Sequence, residues 1–126
     1  VCISERAREI LLDRPLLRPL YDTVNCVFCQ IARGEAPARL HYQDDEVMVI
    51  HDRAPLTPIH LLVCPKTHYA DFMDAPPEVH QMLVRVTQRV VAELGEKARD
   101  FRIMINNGPR SGQTVFHLHY HILAGK

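Results

Sequence analysis

Hydrophobic and polar positions alternate along "TVFHLHYHIL" (114–123): Phe116, Leu118, Tyr120 and Ile122 fall on even positions, His117, His119 and His121 on odd ones. Period two is the strand period, because successive side chains of an extended chain point to opposite faces. The pattern predicts a strand with one core face and one histidine face. Four further runs, "RLHYQ" (39–43), "VMVIHD" (47–52), "HLLVCPK" (60–66) and "FRIMINN" (101–107), also predict strands, the third stopped by Pro65. Between them the period changes. Val79, Met82, Leu83, Val86, Val90, Val91 and Leu94 recur at three- and four-residue steps behind Pro76-Pro77, which predicts one long amphipathic helix. A short helical turn is expected in "NCVFCQIARGEAPA" (25–38), closing near Gly34. Residues 4–13 offer another short helix opened by Ser4 and ended by Pro15 and Pro19, so 1–22 reads as an N-terminal extension to a domain of 23–126. The element order gives an α+β fold: a five-stranded antiparallel sheet with one long helix packed on one face.

Composition narrows the function. A chain of 126 residues fits one domain, and its 15 basic and 15 acidic residues cancel. No Lys/Arg block offers a footprint for a long nucleic acid, while a small phosphorylated ligand stays open. No apolar run is long enough to span a bilayer, and "VCISERAREILLDRPLLRPLYD" is too charged for a signal peptide. A cytoplasmic protein with no membrane partner is expected. Cys2, Cys26, Cys29 and Cys64 are too few and too unevenly spaced for a disulfide framework, leaving reduced thiols or metal ligands.

Three histidines on one strand face admit two chemistries. Neutral imidazoles bind zinc or iron, and they also serve as a nucleophile with acid–base helpers. The preceding loop, "NNGPRSGQT" (106–114), favours the second, because its glycines, amide and hydroxyl suit an anion in a way a metal site does not require. A phosphate held by Gly112, Gln113 and Thr114 would lie beside His119, where charge builds up during attack at phosphorus. Cys26-Val27-Phe28-Cys29 is a C-x-x-C, hence a redox pair or half of a tetrahedral zinc site. The βαβ pattern that a redox pair would want is absent, and zinc needs two more N or S ligands.

Taken together, "CVFCQIARGEAPA", "VMVIHDRAPLTPIHLLVCPKTH" and "NNGPRSGQTVFHLHYHILAG" resemble the histidine triad (HIT) superfamily, from about Asn25 to the end. The Hint branch in its bacterial form, the nucleoside phosphoramidate hydrolases, is most similar. The resemblance implies that His119 attacks the α-phosphorus to give a nucleotidyl–histidine that water hydrolyses, that His121 serves the phosphate oxygens, and that His60 tunes the cluster. It implies phosphate or leaving-group contacts from Asn106, Gly112, Gln113 and Thr114, ribose binding by Asp52, and a base pocket of Phe28, Ile31, Ile50 and Leu62, which suits a purine ribonucleotide. It also implies a structural Zn2+ on Cys26, Cys29, His68 and His117, and a two-fold homodimer through the helix and "FRIMINN". His51 is shared with the family; His41 and His80 match no pattern and read as surface residues. The "GQTV" loop is common to the dinucleoside polyphosphate hydrolases, and the chain has no tryptophan and no long tail beyond the triad. Phosphoramidates, acyl adenylates and dinucleoside polyphosphates therefore all stand as substrates, beside a nucleotide-binding module without turnover.

Overall fold

The computed structural model describes residues 23–125. The N-terminal extension, with its expected helix over 4–13 and Cys2, lies outside them. Strands β1 (Leu40–Gln43), β2 (Val47–His51), β3 (Ile59–Pro65), β4 (Phe101–Met104) and β5 (Tyr120–Ala124) form one antiparallel sheet in the order β1-β2-β3-β5-β4. Two helices accompany it, α1 (Val27–Ala32) and α2 (Pro77–Leu94). Among the described residues no helix is long and apolar enough to cross a membrane.

Helix α2 forms as its stripe predicts. Pro77 opens it, where a missing N–H costs nothing, and Gly95 at φ 69° closes it. Leu83 and Val90, with Val79, Met82, Val86, Val91 and Leu94, pack on Val47, Val49, Leu61, Val63, Leu118, Tyr120 and Ile122. Buried Thr87 donates its hydroxyl back to the Leu83 carbonyl at 2.7 Å, so the stripe carries no unpaired polar group there.

The opposite side of the sheet is covered too, contrary to the expectation of one covered face. Phe28 of α1 packs on Met48, Ile50, Leu62 and Cys64, joined by Cys26, Ile31, Ala32 and Val115. This is why β2 and β3 are continuous apolar runs: both their faces are buried.

β1 and β2 each lose one terminal residue, β4 and β5 shorten further, and the shortening of β5 has consequences. β4 stops at Met104. β5 begins only at Tyr120, so His117 and His119 precede the strand instead of lying on it. The register explains this. Tyr120 pairs with Val63, so Leu118 would pair with Pro65, which has no N–H to give. The Leu118 N–H goes instead to the Tyr69 carbonyl at 2.7 Å. The chain bends off the sheet here, but Leu118, Tyr120 and Ile122 all stay in the helix-side core and the three histidines stay opposite them, His117 wholly buried and His119 and His121 half-buried.

Candidate active site and metal centre

Two polar assemblies result. In the first, α1 delivers two thiols. Cys26 caps the helix, its Sγ accepting the Cys29 N–H at 3.4 Å, which brings both sulfurs to one end. Cys29 Sγ lies 3.2 Å from His68 Nδ1 and 3.5 Å from His117 Nδ1, and Cys26 Sγ lies 3.4 Å from His117 Nδ1. All four donor atoms fall within 4.8 Å of one another. A zinc tetrahedron with bonds of ~2.1 Å to nitrogen and ~2.3 Å to sulfur has edges of roughly 3.4–3.8 Å, close to these separations. Protonation agrees. The Pro65 carbonyl can only accept, so His117 Nε2, 2.7 Å away, carries the proton and Nδ1 turns its lone pair toward the thiols. Burial pushes His117 down to about 4, keeping the ring a neutral ligand. Burial and the neighbouring Cys26 push Cys29 up to about 12. Burial also opposes ionisation of Cys26, but hydrogen bonds from His68 and Cys29 outweigh it and leave that thiol lowered. A bound cation would supply the drive for both thiols to ionise. The four residues are a Cys2His2 metal-binding cluster.

The second assembly adjoins the first at the Phe28 ring, which stands edge-on to both His117 and His119 with centroids 5.6 and 5.2 Å away. Here protons are ordered in a chain. The Leu56 N–H donates to His60 Nδ1 at 3.1 Å, so the proton of that ring sits on Nε2. His60 Nε2 then donates to His121 Nδ1 at 2.8 Å, with Asp52 Oδ2 at 3.4 Å from the same nitrogen. His121 is thereby left with its proton on Nε2. His119 is set differently: its Nδ1 donates to the His117 carbonyl at 2.7 Å, so its Nε2 holds a lone pair. Burial lowers His119, and burial with the neighbouring His119 and His60 rings pushes His121 down to about 4. Near neutral pH the cluster therefore offers one nucleophilic nitrogen and one N–H donor on rings 4.9 Å apart. Asp52, His60 and His121 also have the composition of a metal site. The Leu56 hydrogen bond argues against that use, because it keeps a proton on the nitrogen a cation would need.

The loop predicted to hold phosphate is a tight turn around Gly108 (φ 94°) and Gly112 (φ 101°), conformations that suit glycine. Gln113 is buried within it. Its Oε1 accepts the Gly108 N–H at 2.8 Å and its Nε2 donates to the Ala70 and Val115 carbonyls at 2.7 and 3.1 Å. Its side chain shapes the loop. Thr114 is exposed, and the Asn106 side chain packs beside Gly112. Phe28, Ile50 and Leu62 line the apolar wall with Ile31 at its margin. Asp52 Oδ1 accepts the Ala54 N–H at 2.8 Å, which folds the loop leading back to His60.

Comparison with known proteins fits this geometry. The HIT domain family matches residues 33–126. The chain belongs to the HIT family. It is similar to Protein HitA of Neisseria gonorrhoeae, 40% identical over 101 residues that cover 79% of this chain and 94% of that one. Adenylylsulfatase HINT3 of Arabidopsis thaliana is 37% identical over 106 residues, 81% of this chain and 53% of that one. A Zn-bound histidine triad family protein of Mycobacterium smegmatis matches in structure with a TM-score of 0.76 at 41% identity, over 83% and 78% of the two chains. With HIT membership comes the general histidine-triad chemistry of a nucleotide hydrolase.

Within this HIT domain three groups that order the histidines were not legible beforehand: the Pro65 carbonyl, the Leu56 N–H and the His117 carbonyl. All are backbone atoms, which leave no mark in residue identity. His80, expected at the surface, is half-buried. Its Nε2 donates to the Phe72 carbonyl at 2.9 Å and its Nδ1 accepts the Tyr120 hydroxyl at 2.6 Å.

Proposed function

We propose that the chain hydrolyses purine nucleoside phosphoramidates or acyl adenylates through a covalent nucleotidyl–histidine and releases the nucleoside monophosphate. The observation that carries this is the opposed protonation of neighbouring rings: a lone pair on His119 Nε2 and an N–H on His121 Nε2. His119 Nε2 forms a bond to the α-phosphorus while the bond to the leaving nitrogen or oxygen breaks. The electron pair goes to the leaving atom, and a leaving nitrogen takes a proton from the His121 and His60 relay. Water then attacks the same phosphorus and returns His119. Gly112, Thr114 and Asn106, on a loop shaped by Gln113, receive the phosphate oxygens, Asp52 binds the ribose, and Phe28, Ile31, Ile50 and Leu62 receive the base.

Zinc is the cation proposed for Cys26, Cys29, His68 and His117. Two thiols and two imidazoles are a structural zinc donor set, and a relative is zinc-bound. It would tie α1, the segment after β3 and the start of the triad together, and it takes no part in the chemistry. A homodimer is proposed through the helix side of β4, where Phe101 and Ile103 are each 44% exposed on an edge strand; sedimentation tests it.

Hydrolysis of dinucleoside polyphosphates uses the same attack and is equally compatible with these rings. The adenylylsulfatase name of the Arabidopsis relative widens the panel to an adenylyl sulfate, a mixed anhydride. The deciding experiment compares adenosine and guanosine phosphoramidates, an acyl adenylate, adenosine phosphosulfate and diadenosine polyphosphates at equal concentration, with mass spectrometry of quenched protein. A nucleoside monophosphate adduct on His119 and highest kcat/KM for a phosphoramidate or acyl adenylate are expected. Fastest cleavage of diadenosine polyphosphates would move the chain to the other branch, and binding without turnover of any compound would make it a nucleotide-binding module.

A further inference from the structure

Asp74, in the turn between β3 and α2, is 4% exposed, and among the described residues its Oδ1 has no hydrogen-bond partner. A carboxyl is costly to keep in such a place. Its other oxygen starts a path that the proposed reaction has not used. Asp74 Oδ2 accepts the Ala70 N–H at 2.9 Å. That N–H shares its peptide unit with the Tyr69 carbonyl, which accepts the Leu118 N–H at 2.7 Å. The Leu118 N–H shares its own unit with the His117 carbonyl, and that carbonyl accepts the His119 Nδ1–H at 2.7 Å. Three hydrogen bonds joined by two peptide units thus run from Asp74 to the His119 ring, with every donor pointing toward the carboxyl. Tyr69, Ala70 and Leu118 are buried, so solvent does not reach the path.

We infer that Asp74 is a positioning residue for His119, holding the nucleophile through the Tyr69–Ala70 and His117–Leu118 peptides. This rests on the hydrolase reading above, in which His119 Nε2 attacks phosphorus. A peptide unit is planar, so fixing its N–H fixes the direction of its carbonyl. Anchored at Ala70, the Tyr69 carbonyl holds Leu118; held at Leu118, the His117 carbonyl keeps the His119 proton on Nδ1 and the ring in place. Aligned hydrogen bonds in a buried path also polarise one another, which makes the His117 carbonyl a stronger acceptor. A carboxylate that meets a catalytic histidine directly fixes its tautomer and orientation. Asp74 does the same at the remove of two peptides. The His117 ring belongs to the metal cluster, but the direction of its carbonyl depends on this path.

The test compares the wild-type chain with Asp74→Ala, Asp74→Leu and Asp74→Asn at equal zinc content, so that a lost metal is not mistaken for a lost hydrogen bond. Kinetics on an adenosine phosphoramidate, amide hydrogen exchange and nitrogen NMR of His119 are read together. Asp74→Ala and Asp74→Leu should lower kcat on the order of tenfold with KM within about twofold, the mark of a reacting group slightly misplaced. Exchange at Leu118 should quicken about tenfold while Val63 and Leu83 keep their protection. The His119 Nδ1–H signal should move upfield. Asp74→Asn still offers the Ala70 N–H an oxygen, and it should return all three readouts close to wild type. Protection lost evenly across the chain would make Asp74 a residue of the fold alone and overturn the proposal. So would a change confined to KM, a lowered kcat with Leu118 exchange and the His119 signal unmoved, wild-type kcat in Asp74→Ala, or an Asn variant as impaired as the Ala one. If the wild-type chain cleaves no compound of the panel above, the hydrolase reading falls, and Leu118 exchange with the His119 signal then decides the coupling without it.

Discussion

The metal cluster and the catalytic cluster are built from the same residue type and share one short segment, yet they do opposite things with protons. At Cys26, Cys29, His68 and His117, donor atoms converge and the one proton whose place is fixed, on His117 Nε2, is turned outward to the Pro65 carbonyl. At His60, His119 and His121, protons lie between rings and run in one direction from Leu56. Residue identity does not make this difference. A carbonyl beside Nε2 makes a ligand of Nδ1, a carbonyl beside Nδ1 makes a nucleophile of Nε2, and an amide beside Nδ1 makes a relay. Which backbone atom each ring meets follows from where β3 ends, at Pro65, and from the bend at Leu118 that this ending forces.

If that division holds, the two clusters fail in different ways. Replacing His119 with Ala should remove turnover by about 10⁴-fold or more in kcat while leaving nucleoside monophosphate affinity within a few fold and the melting temperature nearly unchanged. Steady-state kinetics with calorimetry reads all three. Retained turnover would sink the assignment of the nucleophile. Cys29→Ser should act on the fold. Metal content should fall from about one zinc per chain toward zero, with a drop in melting temperature on the order of 10 °C. Elemental analysis and a thermal scan decide. A variant that keeps its metal and its melting temperature would show that the four residues do not hold a structural ion.

These contrasts show where sequence reading stopped. The apolar stripe from Val79 to Leu94 and the five strands were readable because side-chain pattern alone carries them, whereas the partners of the C-x-x-C came only with the family resemblance. The even-numbered core face of Leu118, Tyr120 and Ile122 was readable for the same reason. So was the shared histidine face, because the three rings stay opposite that core. Where the strand begins was not readable, because the pairing is ended by a proline on the neighbouring strand, more than fifty residues earlier. Burial of Gln113 was not readable either; its side-chain amide is held by the Gly108 N–H and the Ala70 and Val115 carbonyls.

Smaller effects probe the relay. His60→Ala removes the donor to His121 Nδ1, so the His121 proton can reside on either nitrogen. A fall of about 10²-fold in kcat is expected, with KM little changed. If KM moved instead, His60 would act on binding and the proton chain would lose its catalytic meaning. The acid limb of activity is the next measure. His119 attacks only when neutral, and burial holds it below the ordinary histidine range, with His121 at about 4. Activity should therefore persist as pH falls through ~6.5 and be lost only below it. Stability has the same sign. His121 binds its proton less readily folded than unfolded, so its contribution is full above ~6.5 and lost as pH falls toward 4. A limb at or above ~6.5 in kcat/KM would contradict the lowered rings.

The smallest expected effect isolates proton ordering from chemistry. His80 has its tautomer fixed as firmly as the others, by the Phe72 carbonyl on one side and the Tyr120 hydroxyl on the other, but it faces away from the site on the helix side. His80→Phe leaves the Tyr120 hydroxyl without its acceptor inside the core, which costs about 1–2 kcal/mol of stability. Tyr120→Phe costs less, because His80 is half-buried and water can reach its nitrogen. The double variant removes both groups and should lie close to Tyr120→Phe alone, a non-additivity that denaturant unfolding resolves. In all three, kcat is expected within about threefold of wild type, since a hydrogen bond across the sheet anchors the strand without touching the reacting rings. If His80→Phe instead lowered kcat as far as His60→Ala, ordered tautomers would not be what sets the catalytic cluster apart. The anchoring of Tyr120 between His119 and His121 would then be the controlling feature.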